Sequence, residues 1–140
     1  MEIMFSVPGE PTGKGRPRMT KQGHTYTPQK TVEYENLVRQ EYLRRYPDTK
    51  FEAGIPLDAR IVAYYAIPKS ASKKRRAMML SGQIRPMKKP DGDNVVKSIL
   101  DALNGVAYHD DAQVVDHMCR KFYAQYPRVT VKIIGMTDEE

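Results

Sequence analysis

Between Pro56 and Pro68 the chain reads PLDARIVAYYAIP, and Leu57, Ala59, Ile61, Ala63, Tyr65 and Ile67 recur at strict period two. Successive side chains of an extended strand point to opposite faces, so this spacing specifies one long strand with an apolar side against a core. A helix could not keep the same residues on one side. The remainder of the chain must therefore provide partner strands and a layer to cover that face. EIMFSVP at 2–8 repeats the pattern through Ile3, Phe5 and Val7 and is stopped by Pro8 and Gly9. Two further strands are expected at about 113–125 and, as VTVKII, at 129–134, joined by a turn at Tyr126-Pro127.

The covering layer is helical. After Thr27-Pro28, a plausible N-cap with proline in the first turn, Tyr34, Leu37, Val38, Tyr42 and Tyr46 recur at helical spacing, which predicts a helix over 28–46 stopped by Pro47. Ser70 is expected to cap a short helix through KKRRAMML, closed by Gly82. Asp93 is expected to cap another, whose Val96, Ile99, Leu100, Leu103 and Val106 form an apolar stripe ending at Asn104-Gly105. At 140 residues, 40% of them hydrophobic, the chain suits one core and not two. The expectation is a single α+β domain over 1–140, with a mixed sheet of about four strands and two to three helices. There is no internal repeat, and only the terminal TDEE reads as a tail.

The formal net charge is +6, and the positive residues are clustered. The Gly- and Pro-rich loop 9–24 contains Lys14, Arg16, Arg18 and Lys21. A second segment, 69–89, contains Lys69, Lys73, Lys74, Arg75, Arg76, Arg85, Lys88 and Lys89. Clustered cations draw in phosphates, so nucleic acid is the leading partner, against the alternative of a merely solvated basic helix face. Cys119 is the only cysteine, which excludes an internal disulfide and a cysteine-based zinc site and suits a reducing cytoplasm. MEIMFSV is too short and too acidic for a signal peptide, and no apolar run approaches the length of a membrane span. The reading is a soluble intracellular protein.

Against this basic background, acids gather at two places: Asp91 and Asp93 in KPDGDNVVK, and Asp110 and Asp111 in VAYHDDAQVV. The helix between them is the arm that relates the two pairs, and Lys97 lies one turn beyond Asp93 on the same side. Adjacent carboxylates repel by about 1 kcal/mol even in water, so gathered acids imply a bound cation. Oxygen donors favour a hard ion, and Mg²⁺ accepts a few carboxylates with several waters. Asp91, Asp93, Asp110 and Asp111 are the candidate ligands, with ordinary turn and cap chemistry as the alternative. Cations around such a site would hold phosphates during phosphodiester hydrolysis. His109 is explained by its turn, His117 reads as packed or exposed on a strand rather than catalytic, and His24 could touch phosphate. Helix and strand faces explain most of the tyrosines, which are assigned no base-stacking platform, and Met78, Met79 and Met87 are assigned to packing.

The stretch KPDGDNVVKSILDALNGVAYHDDAQVV resembles the signature of the RusA-type Holliday junction resolvases. It combines Asp-x-Asp-Asn, a lysine four residues after the second Asp, Asp-Ala-Leu a helical turn on, and Asp-Asp-x-Gln leading into a strand. The resemblance is strong over 89–115 and looser elsewhere, where the order of elements also agrees. It implies a homodimeric, Mg²⁺-dependent endonuclease, with Mn²⁺ able to substitute, that makes paired symmetric nicks across four-way DNA junctions in a bacterial or phage setting. By position, Asp91, Asp93 and Asp111 look like the essential carboxylates, Lys97 like the catalytic lysine, and Asp110 like an accessory ligand. Asp101 would support the helix or Lys97. The implied chemistry is attack on phosphorus by a metal-activated water, leaving 5′-phosphate and 3′-hydroxyl ends. The junction-binding residues would come from Lys14, Arg16, Arg18, Lys21, Lys73, Lys74, Arg75, Arg76, Arg85, Lys88 and Lys89. Segment 69–88 looks longer and more basic than in shorter family members, and Gly92 stands where the family often has a larger residue. A non-catalytic junction- or single-strand-binding module is the rival reading, but it has no reason to gather acids. A metal-dependent nucleotide transferase would need a larger domain than this chain can build.

Overall fold

The structure is a computed structural model and describes residues 1–137. Its strands and helices are β1 (Glu2–Pro8), β2 (Arg18–Met19), β3 (Thr25–Tyr26), α1 (Gln29–Arg45), β4 (Leu57–Ala66), α2 (Lys73–Leu80), α3 (Gly92–Leu103), β5 (Val114–Ala124) and β6 (Arg128–Gly135). A single 3-10 turn, Asp111–Gln113, precedes β5.

The main sheet has the order β1-β6-β4-β5. β6 runs antiparallel to both β1 and β4, while β4 and β5 are parallel, so the sheet is mixed as expected. The Tyr126-Pro127 turn does join the last two strands, but they are not paired with each other: β4 lies between them. The alternation in β4 does what its spacing requires, with Leu57, Ala59, Ile61, Ala63 and Tyr65 all buried. Ile3, Phe5 and Val7 of β1 and Val129, Val131 and Ile133 of β6 extend the same apolar face. α1 and α3 cover it with Tyr34, Val38 and Tyr42, and with Val95, Val96, Ile99, Leu100 and Leu103, in one continuous core. Burying side chains of this size is worth about 1.5–3 kcal/mol each, which is what holds the helices on the sheet.

Three caps differ from expectation. α1 is capped by Pro28 rather than Thr27, and Pro28 has no side-chain acceptor; its carbonyl instead receives the N–H groups of Thr31 and Val32 at 3.0 and 3.2 Å. α2 is capped by Ser72 rather than Ser70, because the Ala71 N–H closes a turn onto the Pro68 carbonyl before the helix can start. α3 is capped by Asp91, whose carboxylate accepts the Asn94 N–H at 3.0 Å, so Asp93 lies inside the first turn. Either aspartate of Asp-x-Asp satisfies cap chemistry, and the extended backbone at Asp91 decides between them. Loop 9–24 also contains the start of a ribbon, β2 pairing with β3.

Candidate active site

Moving the cap to Asp91 frees the Asp93 carboxylate. Asp93, Val96, Lys97, Leu100 and Asp101, all on one side of α3, line an open cavity of about 490 Å³ together with Asp111 and His117. The helix contributes one wall, the start of β5 the other, and the turn before β5 brings Asp111 to the rim.

That turn is tightly specified. The Asp110 carboxylate accepts the Ala112 N–H at 2.9 Å, and the Gln113 side-chain oxygen accepts the N–H groups of His109 and Asp110 at 2.9 and 3.1 Å. The Gln113 amide then donates to the carbonyls of Glu52 and Ile55 at 2.9 and 3.0 Å. Asp-Asp-x-Gln is thus a reciprocal cap anchored to the loop before β4, and it presents Asp111 at the cavity. Burial, the hydrogen bond to Asp110, and the negative charges of Asp110 and Asp101 raise the Asp111 pKa above its ordinary value.

His117 reaches the cavity because of a bulge. Val114 pairs with Leu57 and Asp116 with Asp58, leaving Val115 as an extra residue in β5. Without it His117 would point to the open face of the sheet; with it, His117 pairs with buried Ala59 and faces α3. Cys119 follows on the same face, against Gly92 at the start of α3.

Of the candidate residues, the cavity brings together Asp93, Lys97 and Asp111. Asp91 and Asp110 do not line it; both carboxylates serve as caps beside it. Among the described residues no three of His, Cys, Asp or Glu are close enough to hold a metal unaided. The donor chemistry still suits a hard divalent ion, since Mg²⁺ commonly takes one or two carboxylates and completes its shell with water and substrate phosphate. Asp93 and Asp111 meet that requirement.

The cations divide into two kinds. Lys14 is committed: its ammonium lies 2.6 Å from Glu35 and 3.3 Å from Asp101, tying loop 9–24 to α1 and α3. Burial, the largest influence, lowers the Lys14 pKa, but hydrogen bonds and charge from Glu35 and Asp101 outweigh it and raise the pKa overall. The loop sits so close to α3 that a Cβ on Gly13 would stand 2.9 Å from the Pro90 Cβ. Arg16 and Arg18, by contrast, line a second cavity of about 450 Å³ with Lys30, and Lys21 is exposed. Lys73, Lys74 and Arg75 are exposed on α2, Arg76 is half-buried, and Lys89 is exposed next to the acids. Among the described residues these cations form no salt bridges. Arg85 donates to the Lys121 carbonyl at 2.6 Å and stacks on Phe122, and the Lys88 ammonium lies 5.8 Å from the Tyr65 ring centre.

An acidic cavity between a helix and a sheet edge, in a chain that also exposes uncommitted cations on its early loop, on α2 and at Lys89, suits an enzyme that cuts a polyanion. A family model described as endodeoxyribonuclease RusA matches residues 8–134, nearly the whole chain, and the chain belongs to that family of nucleases. It is also 39% identical over 136 residues to a Bacillus subtilis protein described as uncharacterized protein YqaN, with 94% of each chain covered. Among the described residues no helix is long and apolar enough to cross a membrane.

Proposed function

We propose that the protein is a Mg²⁺-dependent Holliday junction resolvase that acts as a homodimer and makes paired symmetric nicks in four-way DNA junctions, in the cytoplasm of a bacterium or on phage DNA. The observation that supports this best is the convergence of Asp93, Lys97 and Asp111 on one open cavity.

Asp93 and Asp111 would hold the divalent ion from two sides of the cavity. When bound, that ion supplies charge neutralisation at the phosphoryl group and a water acidic enough to attack it. Lys97, one helical turn from Asp93, sets a fixed positive charge where negative charge develops on the phosphoryl oxygens. Asp91 fixes the start of α3 and with it the direction of Asp93, and Asp110 does the same for Asp111. Arg16, Arg18 and Lys21 on one side, and α2 with Lys88 and Lys89 on the other, would grip the junction arms through their phosphates. A two-fold dimer would present two such cavities to the two equivalent strands of a junction.

The test is a nicking assay on a synthetic four-way junction beside a linear duplex of matching sequence, with Mg²⁺ and with chelator. Metal-dependent paired nicks confined to the junction are expected. Tight junction binding without cleavage in any divalent metal would overturn the enzymatic reading in favour of a binding module.

A further inference from the structure

We infer that His117 is a further catalytic residue, the acid that protonates the leaving 3′ oxygen; this rests on the nuclease reading above. Three observations meet in it. The bulge at Val115 turns the imidazole from the open face of the sheet into the cavity that holds Asp93, Lys97 and Asp111. The side chain is exposed there, and among the described residues its ring makes no hydrogen bond or ion pair that would occupy it elsewhere. It is also the one cavity residue contributed by the strand wall, the others coming from α3 and from the turn that presents Asp111.

Phosphoryl transfer places the attacking and leaving oxygens roughly in line on opposite sides of phosphorus, so a site built on two walls can serve each from a different one. The groups facing His117 are Asp93, Lys97 and Asp101 from α3 and Asp111 from the turn, with Cys119 beside it on its own strand. Lys97 stands on the α3 wall with Asp93, whereas His117 alone presents a ring N–H from the strand wall, on the side opposite that helix. In the step, the water oxygen forms its bond to phosphorus and the P–O3′ bond breaks, its electron pair leaving with O3′. The His117 ring proton moves to that oxygen, giving the 3′-hydroxyl. The proton of the attacking water passes to solvent, from which the imidazole is recharged.

The test uses the full-length protein and two four-way junctions, one with the ordinary linkage at the cut site and one with sulfur in place of the bridging 3′ oxygen. A thiolate leaves without protonation, so the two linkages separate proton donation from every other role. Each rate is taken relative to wild type on the same linkage in Mn²⁺. His117→Ala and His117→Gln are expected to cut the oxygen linkage at least about 100-fold more slowly than wild type. Both are expected to cut the sulfur linkage within a few-fold of the wild-type rate. Gln keeps an N–H but cannot transfer its proton, so full activity of His117→Gln on oxygen would overturn the inference. Equal slowing of both linkages would overturn it as well, reducing His117 to packing or binding. Failure of the wild-type protein to cut either junction would overturn the nuclease reading itself, and the inference with it.

Discussion

The buried hydroxyl of Tyr65 donates to the Pro90 carbonyl at 2.5 Å, fastening β4 to the residue immediately before Asp91. Lys121 adds a second fastening from β5: its ammonium donates to the Lys88 carbonyl at 2.6 Å and lies 5.0 Å from the Tyr65 ring centre. The approach to α3, and with it the direction of both aspartates, is therefore set by two sheet residues. Removing the Tyr65 hydroxyl leaves the Pro90 carbonyl short of a partner and should cost about 0.5–1.5 kcal/mol. Tyr65→Phe is expected to lower the unfolding temperature by a few degrees and slow nicking several-fold, with junction affinity unchanged. Lys121→Met should act in the same direction. The double variant should lose less than the two single losses combined, because both grip one segment. Thermal melts and single-turnover nicking of the three variants check this, and strict additivity would show the two contacts to be independent.

Asp93 and Asp111, which face each other across the cavity, should behave differently from one another in stability but alike in activity. Asp93→Asn and Asp111→Asn are each expected to abolish nicking, while gel-shift affinity for the junction is retained or improved, since each removes a negative charge facing phosphate. Normal cleavage by either variant would exclude that residue from the site.

Stability against pH separates Asp111 from an ordinary surface acid. Its folded pKa is raised, so between its ordinary value and the raised one the folded state binds more protons than the unfolded state. Stability from this group is therefore present at acid pH and lost as pH rises through the raised value. In chelator, Asp111→Asn is expected to melt higher than wild type at neutral pH, with the difference closing as pH falls below the ordinary carboxylate range. Unfolding temperature measured across pH for both proteins checks the sign; a variant less stable at neutral pH would contradict it.

The period-two runs made the sheet legible because β1, β4 and β6 as far as Ile134 obey a single rule of alternation. β5 was legible as a strand but not in register. A bulge adds one residue without changing composition, and it is the bulge at Val115 that decides which way His117 points. The same limit applied to Asp91 and Asp93: both are good caps, and the choice between them rests on contacts made by Tyr65 and Lys121, which are distant in sequence. Asp111 was legible as a candidate, but the role of Gln113 in holding it depends on carbonyls at Glu52 and Ile55 that no local pattern announces. Clustered positive charge was visible in loop 9–24, yet not that Lys14 would turn inward to Glu35 and Asp101.

That inward turn gives the last prediction. Lys14 and Arg16 are two residues apart and carry the same charge, but Lys14 is neutralised by two carboxylates while Arg16 and Arg18 line a separate cavity with Lys30. A cation already paired within the protein releases few counterions from DNA when the complex forms, whereas a free one releases close to one. Arg16→Ala and Arg18→Ala are each expected to weaken junction binding and to reduce the slope of log affinity against log salt by about 1, with the unfolding temperature unchanged. Lys14→Ala should do the reverse. It would lower the unfolding temperature, by leaving Glu35 and Asp101 without their shared partner, while leaving the salt slope close to wild type. Salt titrations of junction binding beside thermal melts distinguish the two kinds of cation. A full unit of slope lost in Lys14→Ala would mean that its ammonium leaves both carboxylates for phosphate when DNA binds.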